Sequence, residues 1–445
     1  MIIKTNTGRC SVLTQYVING GIPLRGSINI SGAKNAALAI LPATLLMEGE
    51  CRIENIPKVT DVTLMLEILR DVGASIRLVD DNTVVIDSGG VRAGSVAPYE
   101  QARRMRASYY LIGAFLGRFS SAQVAMPGGC NLGVRPIDQH IKGFEKLGAE
   151  VQVKAGFVHA DAQGGGLKGS PVYLDMASVG ATINIILAAA MAEGLTVIEN
   201  AAREPHVVDL ANFLNSAGAD IKGAGTDIIK IRGKKSLTGR NYAIIPDQIE
   251  AGTYMAAVTA AGGEVTLTNV IPKHLECITA KLEELGAEVE EDDESITIKR
   301  EGKLRKANIK TLPYPGFPTD MQPQVSACLS SAEGISMVTE SISDNRYRYV
   351  DELKRMGARI QVDGKVAVIE GVKKLTGAPV QACDLRAGAA LIVAGLGAQG
   401  KTEVGGVYHI ERGYEDAVKK LQGVGADIRV EDVPDTELLS AGQTG

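Results

Sequence analysis

Hydrophobic positions follow two different patterns along the chain, and both predict helices. The segment 275–285 carries Leu275, Ile278, Leu282 and Leu285 at helical spacing, and charged residues occupy its other face. The segments 181–192 and 388–398 are instead apolar almost all round. Because a helix that is apolar on every side is buried on every side, the pattern predicts helices inside the protein and sheets outside.

A short signature recurs six times: an amphipathic stretch ends in Gly-Ala, and a strand-like segment follows. The spacings between successive glycines of this signature are 75, 70, 68, 71 and 68 residues. Glycine readily adopts the left-handed conformation that ends a helix, so each helix is predicted to stop at this residue. The regular spacing predicts six structural repeats. The glycines are Gly73, Gly148, Gly218, Gly286, Gly357 and Gly425.

The chain length bears on how the repeats are arranged. At 445 residues the protein exceeds the roughly 250 to 300 residues that one hydrophobic core supports, so two lobes of three repeats fit both the size and the repeat count. The alternative is a solenoid with its repeats in a line. Solenoid repeats usually have about 20 to 45 residues, and these repeats are longer, which favours the two lobes.

Composition and charge narrow the class of protein. The chain is 45% hydrophobic and 22% charged, which is typical of a folded protein, and its net charge of −5 creates no overall positive field for nucleic acid or a membrane surface. The apolar runs are shorter than the about 18 residues that span a membrane, and the first residues lack a secretion signal. We therefore expect a cytoplasmic protein with no nucleic-acid or membrane partner. The six cysteines form no C-x-x-C pair, so no metal site is expected.

Residues 395–402 match the nucleotide-binding pattern G-x-x-x-x-G-K-[ST]. That motif requires a strand before it and a helix after it. Here an apolar helix is predicted before Gly400 and a strand after it, so the context is inverted. We interpret Gly400 as a helix cap rather than as part of a phosphate-binding loop.

Four segments interrupt the common pattern of the repeats and are candidates for catalytic or ligand-binding residues. Lys34 stands where the first apolar helix begins, a position that favours an anion. Cys130 and Arg135 lie in a glycine-rich segment, Asp320 precedes a helix, and Arg412 lies at a strand-to-helix turn. Each has a structural alternative: a surface lysine, a buried thiol or a helix N-cap aspartate is common.

Nine segments of the chain resemble the UDP-N-acetylglucosamine 1-carboxyvinyltransferases of the enolpyruvyl transferase family. The resemblance extends over nearly the whole chain. The segments are residues 31–38, 105–108, 127–130, 133–136, 178–182, 199–205, 317–322, 340–346 and 409–414.

The resemblance implies a fold and a domain organisation. The family fold is a two-lobed inside-out α/β barrel with six βαβαββ repeats, three in each lobe, buried helices and outer sheets. Residues 34–245 would form the first lobe, with the Cys130 loop, and residues 1–33 and 246–445 the second. The active site would lie in the cleft between them.

The resemblance also implies an activity. Members of the family transfer the enolpyruvyl group of phosphoenolpyruvate to the 3-hydroxyl of UDP-N-acetylglucosamine and release phosphate. The reaction is an addition and elimination through a tetrahedral ketal, and it is the first committed step of peptidoglycan synthesis. It needs no cofactor and no metal, because cationic side chains neutralise the developing charge. The only expected partners are the two small-molecule substrates.

Residue roles follow from the same resemblance. Cys130 matches the acid that serves the methylene carbon of phosphoenolpyruvate, Asp320 matches the base facing the sugar hydroxyl, and Lys34 and Arg412 complete the catalytic set. Six residues match phosphoenolpyruvate contacts: Lys34, Asn35, Cys130, Arg135, Arg386 and Arg412. Ten match UDP-sugar contacts: Arg106, Arg135, Pro136, Ile137, Asp138, Gln139, Ser178, Val179, Asp320 and Ile342. Met176 is a departure, since some members carry a lysine there that contacts the diphosphate.

Two other functions compete with this one. The 3-phosphoshikimate 1-carboxyvinyltransferases share the fold and the donor, but they use no cysteine at the position of Cys130. A silent paralogue that binds the nucleotide sugar and regulates precursor supply is the second alternative. The retained set Lys34, Cys130, Arg135, Asp320 and Arg412 argues against it, since a silent copy is free to lose these residues.

Overall fold

The computed structural model describes residues 13–126 and 137–433, and it contains thirteen α-helices and twenty-five strands in these ranges. The described helices are α1 Lys34–Ala43, α2 Thr60–Asp71, α3 Tyr99–Arg104, α4 Tyr110–Phe119, α5 Asp138–Lys146, α6 Val179–Ala189, α7 Pro205–Ser216, α8 Gln248–Ala261, α9 Glu276–Glu284, α10 Gln322–Leu329, α11 Val350–Arg355, α12 Leu385–Gly397 and α13 Ala417–Gly423.

Most strands are short. The described strands are β1 Leu13–Asn19, β2 Leu24–Asn29, β3 Met47–Glu48, β4 Glu50–Glu54, β5 Ser75–Leu78, β6 Val84–Asp87, β7 Ser121–Ala125, β8 Glu150–Lys154, β9 Phe157–Asp161, β10 Pro171–Tyr173, β11 Leu195–Glu199, β12 Asp220–Lys222, β13 Ile228–Arg232, β14 Leu237–Thr238, β15 Asn241–Ala243, β16 Gly263–Thr268, β17 Glu288–Glu291, β18 Ser295–Arg300, β19 Ile309–Lys310, β20 Ile335–Thr339, β21 Arg359–Asp363, β22 Val366–Glu370, β23 Pro379–Gln381, β24 Lys401–Gly405 and β25 Asp427–Val433.

The sheets repeat one arrangement. Five four-stranded sheets each combine one parallel pair of strands with two antiparallel pairs. Their orders are β15-β4-β6-β5, β10-β11-β13-β12, β17-β18-β16-β2, β19-β20-β22-β21 and β23-β24-β1-β25. A sixth sheet, β7-β9-β8, has its two described pairs antiparallel, and β14 pairs with β3. The recurring sheet matches the six predicted repeats.

All six Gly-Ala signatures end helices as predicted. Each glycine follows a helix and has a positive φ between 87° and 113°. This region is open to glycine at little cost because it has no Cβ. Gly400 also has a positive φ of 87°, and it lies between α12 and β24. Because a helix precedes the glycine and a strand follows it, residues 395–402 do not form a nucleotide-binding loop.

Two hydrophobic cores contain the apolar helices. The first core runs from Ala33 to Ile244, and the second combines Tyr16–Ile30 with Ile249–Ile428. In the first core α4 packs against both α1 and α6, and in the second α8, α10 and α12 pack against one another. The buried helices thus lie behind the sheets, as the apolar pattern predicted.

A buried polar residue bridges three helices of the first core. Asn184 of α6 accepts a hydrogen bond from the backbone N–H of Gly113 in α4 at 2.9 Å. A side chain at Gly113 would collide with the backbone oxygen of Asn184. The amide nitrogen of Asn184 donates to Nδ1 of His140 in α5 at 2.8 Å, so one polar side chain joins three helices.

Two segments connect the cores, and they lie side by side. Ala33 N–H donates to the oxygen of Ile245 at 2.7 Å, and Asp247 N–H donates to the oxygen of Ser31 at 2.9 Å. A buried ion pair supports the crossing, because Lys420 Nζ contacts Glu250 Oε1 at 2.6 Å. The crossing therefore positions Lys34, the first residue of α1, between the two cores.

Candidate active site

Asp320 lies between two buried arginines. Its Oδ1 accepts a hydrogen bond from an Arg346 terminal nitrogen at 2.9 Å, and its Oδ2 accepts from Arg386 NH2 at 3.0 Å and Nε at 3.2 Å. The Asp320 side chain is 29% exposed, whereas those of Arg346 and Arg386 are 2% and 5% exposed. The carboxylate is therefore open to a solute while the guanidinium groups that hold it are not.

The surrounding charges keep Asp320 ionised. Burial favours the neutral acid, but the positive charges of Arg386, Arg346 and Lys34 outweigh it and hold the pKa of Asp320 well below its usual range. Asp320 belongs to a 3₁₀ turn, Thr319–Met321, and the N-cap of α10 is Met321. The N-cap explanation for Asp320 is thus wrong, and its side chain forms ion pairs instead.

Lys34 and Arg412 share one carboxylate. Asp61 in the first turn of α2 contacts Lys34 Nζ at 3.5 Å through Oδ2 and accepts from Arg412 Nε at 2.8 Å through Oδ1. Asp61 is buried, so little water screens these contacts. Lys34 and Asp61 come from the first core and Arg412 from the second. The structure therefore unites two predicted catalytic cations around a residue that the sequence did not single out.

Contacts on either side of Asp61 hold the two cores together there. The neighbouring Thr60 N–H donates to the backbone oxygen of Glu411 at 3.2 Å. Asn82 Nδ2 donates to Glu415 Oε1 at 3.2 Å. The segment that carries Arg412 is thus docked on the first core.

Arg386 is the second residue of a well-capped helix, α12. Asp384 is the N-cap of α12, and its side chain accepts from the N–H groups of Arg386 and Ala387 at 2.8 and 2.9 Å. Arg386 also donates to the hydroxyl of Tyr414 at 3.0 Å. The helix start and the tyrosine therefore orient the guanidinium towards Asp320.

The predicted UDP-sugar residues of the first core lie at the starts of neighbouring helices. Ile137, Asp138 and Gln139 are at the start of α5, and Ser178 and Val179 are at the start of α6, which packs on α5. Ser178 Oγ accepts from the N–H of Ala181 at 3.3 Å.

Gln139 and Arg106 extend this group. The Gln139 side chain joins Asp138 and Asp175 through hydrogen bonds of 2.8 and 3.0 Å. Arg106 begins the 3₁₀ turn Arg106–Tyr109, and its charge helps to lower the pKa of His140 in α5. Met176, the departure from the family pattern, is exposed beside the group.

Ile342 lies in a segment that Glu340 organises next to Asp320. The buried Glu340 carboxylate accepts from the N–H of Ile342 at 2.8 Å and from the hydroxyl of Thr319 at 3.0 Å. Thr319 also accepts from Arg346 Nε at 3.1 Å. Exposed Ile342 and ionised Asp320 are thus supported by the same buried polar groups.

Charges of the predicted site residues also affect the pKa values of nearby buried side chains. Arg106 and Glu204 both influence the pKa of Tyr110, and Glu204 also influences His206. The pKa of His206 is lowered by burial and raised in part by Glu204, Asp247 and Asp320.

Three predicted residues lie outside the described part of the chain. Cys130, Arg135 and Pro136 lie outside the described residues, so their predicted roles stay predictions. Asn35, the second residue of α1, is half-buried beside Lys34.

Within residues 13–126 and 137–433 there is no cluster of three or more His, Cys, Asp or Glu side chains arranged to hold a metal. No helix of these two ranges is long and apolar enough to span a membrane.

Sequence reasoning missed three residues of this site. Arg346 lies in a segment that resembles the family, which was a usable signal. Tyr414 lies in another such segment, 409–414, whereas Asp61 carried no such signal, because an acidic residue in the first turn of a helix is common.

Comparisons with known proteins agree with this geometry. The family model of EPSP synthase (3-phosphoshikimate 1-carboxyvinyltransferase) matches residues 18–421. The chain is 57% identical to a UDP-N-acetylglucosamine 1-carboxyvinyltransferase of Clostridium botulinum, over 94% of this chain and 99% of that protein. It is 56% identical to UDP-N-acetylglucosamine 1-carboxyvinyltransferase 3 of Caldanaerobacter subterraneus, with the same coverage.

Solved structures confirm the predicted fold class. The enolpyruvyl transferase NikO of Streptomyces tendae superposes with a TM-score of 0.84 and 28% identity, over 95% of this chain and all of that one. An EPSP synthase of Acinetobacter baumannii, at 20% identity, shares the fold with a TM-score of 0.73 over 94% of this chain and all of its own. With relatives this similar along nearly its whole length, the chain belongs to the UDP-N-acetylglucosamine 1-carboxyvinyltransferases, within the enolpyruvyl transferase family.

Proposed function

We propose that this protein transfers the enolpyruvyl group of phosphoenolpyruvate to the 3-hydroxyl of UDP-N-acetylglucosamine and releases phosphate. This would make it the enzyme of the first committed step of peptidoglycan synthesis. The observation that carries the proposal is the 56–57% identity to relatives of that name over 94% of the chain. The cluster of Lys34, Asp61 and Arg412 near an ionised Asp320 supports it.

Lys34 and Arg412 suit a donor molecule that carries two anionic groups. Phosphoenolpyruvate carries a phosphate and a carboxylate, and charge-assisted hydrogen bonds from lysine and arginine are the usual way to hold such groups. Lys34 and Arg412 come from different cores, so a donor bound between them would draw both cores to the same ligand. We propose Arg135 and Asn35 as further contacts.

In the addition step the methylene carbon of phosphoenolpyruvate gains a proton and the sugar hydroxyl loses one. We propose that the Cys130 thiol protonates the methylene carbon of phosphoenolpyruvate while the sugar oxygen bonds to the neighbouring carbon. The hydroxyl proton passes to Asp320. In the elimination the Cys130 thiolate takes a proton back from the new methyl group and phosphate leaves, which restores the carbon–carbon double bond.

The low pKa of Asp320 sets how it can act as a base. A carboxylate held by two arginines has little affinity for a proton from a free alcohol. It does accept a hydrogen bond and so orients the hydroxyl. The proton becomes far more acidic as the carbon–oxygen bond forms, so transfer to Asp320 is expected late in the addition step.

The UDP-sugar would bind at the starts of α5 and α6. Helix N-termini favour anions, because their free N–H groups and dipoles point at the ligand. Arg106, Pro136 and the residues from Ile137 to Gln139 would contact the nucleotide, with Ser178 and Val179 beside it. Asp320 and Ile342 would approach the sugar from the second core. We also propose that residues 34–245 form one lobe and residues 1–33 with 246–445 the other, and that the enzyme acts in the cytoplasm.

The test is phosphate release from phosphoenolpyruvate by purified protein. UDP-N-acetylglucosamine and shikimate 3-phosphate are supplied separately as acceptors, and the product mass is measured. Release with the UDP-sugar alone is expected. Release with shikimate 3-phosphate alone would replace the proposed acceptor. Release with neither, together with UDP-sugar binding, would indicate a silent regulatory paralogue.

A further inference from the structure

Tyr414 places its hydroxyl at the centre of a buried polar network. The hydroxyl oxygen lies 3.0 Å from Arg386 NH1, 2.9 Å from Thr253 Oγ1 and 3.3 Å from Gln324 Nε2. All four residues belong to the second core region and are buried. The network continues from Arg386 to Asp320, so it reaches a candidate catalytic carboxylate.

The direction of each hydrogen bond in this network follows from the groups present. Arginine only donates, so the Tyr414 oxygen must accept from Arg386. Thr253 gives its own proton to the backbone oxygen of Ile249 at 2.7 Å, which can only accept. The Tyr414 proton therefore goes to Thr253, and a one-way chain runs from Arg386 through Tyr414 and Thr253 to the backbone of α8.

Tyr414 also belongs to the segment that carries Arg412. Arg412 contacts Asp61 of the first core, and Tyr414, two residues later, contacts Arg386 of the second. The Arg386 guanidinium carbon lies 5.5 Å from the centre of the Tyr414 ring. One short segment thus connects a cation proposed for the donor with the arginine that holds Asp320.

We propose that Tyr414 is a positioning residue, whose hydroxyl holds the Arg386 guanidinium so that Nε and NH2 face Asp320 Oδ2. This inference rests on the proposed function. Without the hydroxyl, Arg386 has a buried donor with no acceptor, and the guanidinium turns to satisfy it. Asp320 then keeps Arg346 at Oδ1 but loses its fixed partner at Oδ2.

The variant Tyr414→Phe removes only the hydroxyl and keeps the ring. Misplacing a reacting group by about 1 Å lowers rates up to about 100-fold, so we expect kcat to fall by about 10- to 100-fold while both KM values change by less than about threefold. A weaker contact with Arg386 raises the pKa of Asp320. The acidic limb of the kcat profile should therefore move to higher pH.

The matched control is Tyr242→Phe in the first core. Tyr242 also donates to a carboxylate, since its hydroxyl lies 2.6 Å from Asp209 Oδ1, and its described hydrogen bonds involve neither Arg386 nor Asp320. We expect this control to lower stability without moving the pH profile. If Tyr414→Phe behaves like the control, with kcat and pH profile unchanged, the inference is wrong.

A second measurement separates this inference from the proposed function. The pKa of Asp320, followed by ¹³C NMR of carboxyl-labelled protein, should be higher in Tyr414→Phe than in the parent whether or not either protein turns over. An inactive parent overturns the proposed function, whereas an unchanged Asp320 pKa overturns only the role of Tyr414. If Tyr414→Phe does not fold, Thr253→Val removes the acceptor of the Tyr414 proton and should give a smaller rise of the same sign.

Discussion

Asp61 and Arg412 are 351 positions apart in the chain, yet Oδ1 of the one and Nε of the other are 2.8 Å apart. This hydrogen bond joins the two cores at the candidate active site. Because Asp61 also contacts Lys34, one carboxylate neutralises two cations that the proposal assigns to phosphoenolpyruvate. An anionic substrate must compete with Asp61 for them.

The variant Asp61→Asn tests this competition. Removing the negative charge leaves Lys34 and Arg412 more positive, so phosphoenolpyruvate and inorganic phosphate should bind about three- to tenfold more tightly, equivalent to about 1 kcal/mol. The measurements are KM for phosphoenolpyruvate and the inhibition constant of phosphate. Asp81→Asn changes the charge equally on the surface, where Asp81 is 86% exposed beside Lys58, and should leave both constants unchanged. Weaker binding in Asp61→Asn would contradict the competition.

The variant Asp320→Asn tests the proposed base. Loss of a general base typically lowers rates by about 100- to 10,000-fold, and we expect a kcat loss in that range while UDP-sugar affinity changes little. Because Arg346 and Arg386 lose their anionic partner, the free energy of unfolding should also fall, by about 1 to 3 kcal/mol.

Isothermal titration and denaturant unfolding check these two outcomes. Asp351→Asn is a suitable control, since this side chain is 85% exposed and pairs with Lys354 on the surface of α11. Near-normal turnover by Asp320→Asn would exclude Asp320 as the base.

Cys130 is expected to be the reactive thiol of the chain. Cys130→Ala should abolish phosphate release while UDP-sugar binding persists. The phosphonate epoxide fosfomycin should add one adduct mass at Cys130, because a thiolate opens epoxides. Peptide mass spectrometry checks the site of addition.

The described cysteines provide the control for this reaction. Burial raises the pKa of Cys51, Cys277 and Cys383 to about 11 and that of Cys328 to about 12, so all four stay protonated near neutral pH. Cys328→Ala should therefore leave the adduct unchanged. Modification of any of these four in place of Cys130 would contradict the assignment.

The buried side chain of His140 is expected to make the stability of the folded protein depend on pH. Burial lowers the pKa of His140 to about 4, helped by Arg106 and opposed by Asp138. Between about pH 6.5 and 4 the unfolded chain binds a proton at this residue that the folded protein does not, so stability falls as the pH falls through this range.

Denaturant unfolding at several pH values tests this dependence. In His140→Gln the free energy of unfolding should fall less between pH 6.5 and 4 than in the parent. The slope of this free energy against pH should be smaller by the equivalent of up to about one bound proton. His159→Gln changes a half-buried histidine of β9 and serves as the control. An identical pH slope in His140→Gln and the parent would show that His140 does not bind the proton.

Much of the fold could be predicted from the sequence, because helix ends and buried helices depend mainly on residues that are neighbours in the chain. A glycine after an amphipathic stretch ends a helix through its own backbone freedom, and all six predicted stops were correct. The apolar segment around Asn184 was likewise predicted to be buried from its composition alone. The partners of Asn184, Gly113 and His140, were not predictable, because they depend on how α4, α5 and α6 pack.

The candidate site, like the fold, has features that the sequence predicts and features that only packing determines. By itself the sequence determined the six repeats, the buried helices and, through its family motifs, candidates such as Lys34, Asp320 and Arg412. Only the tertiary structure decided that Asp61 holds two of these cations and that Tyr414 holds Arg386 against Asp320. The physical reason is that ion pairs and buried hydrogen bonds depend on distances of about 3 Å between groups far apart in the chain, which packing of the two cores sets and local sequence does not.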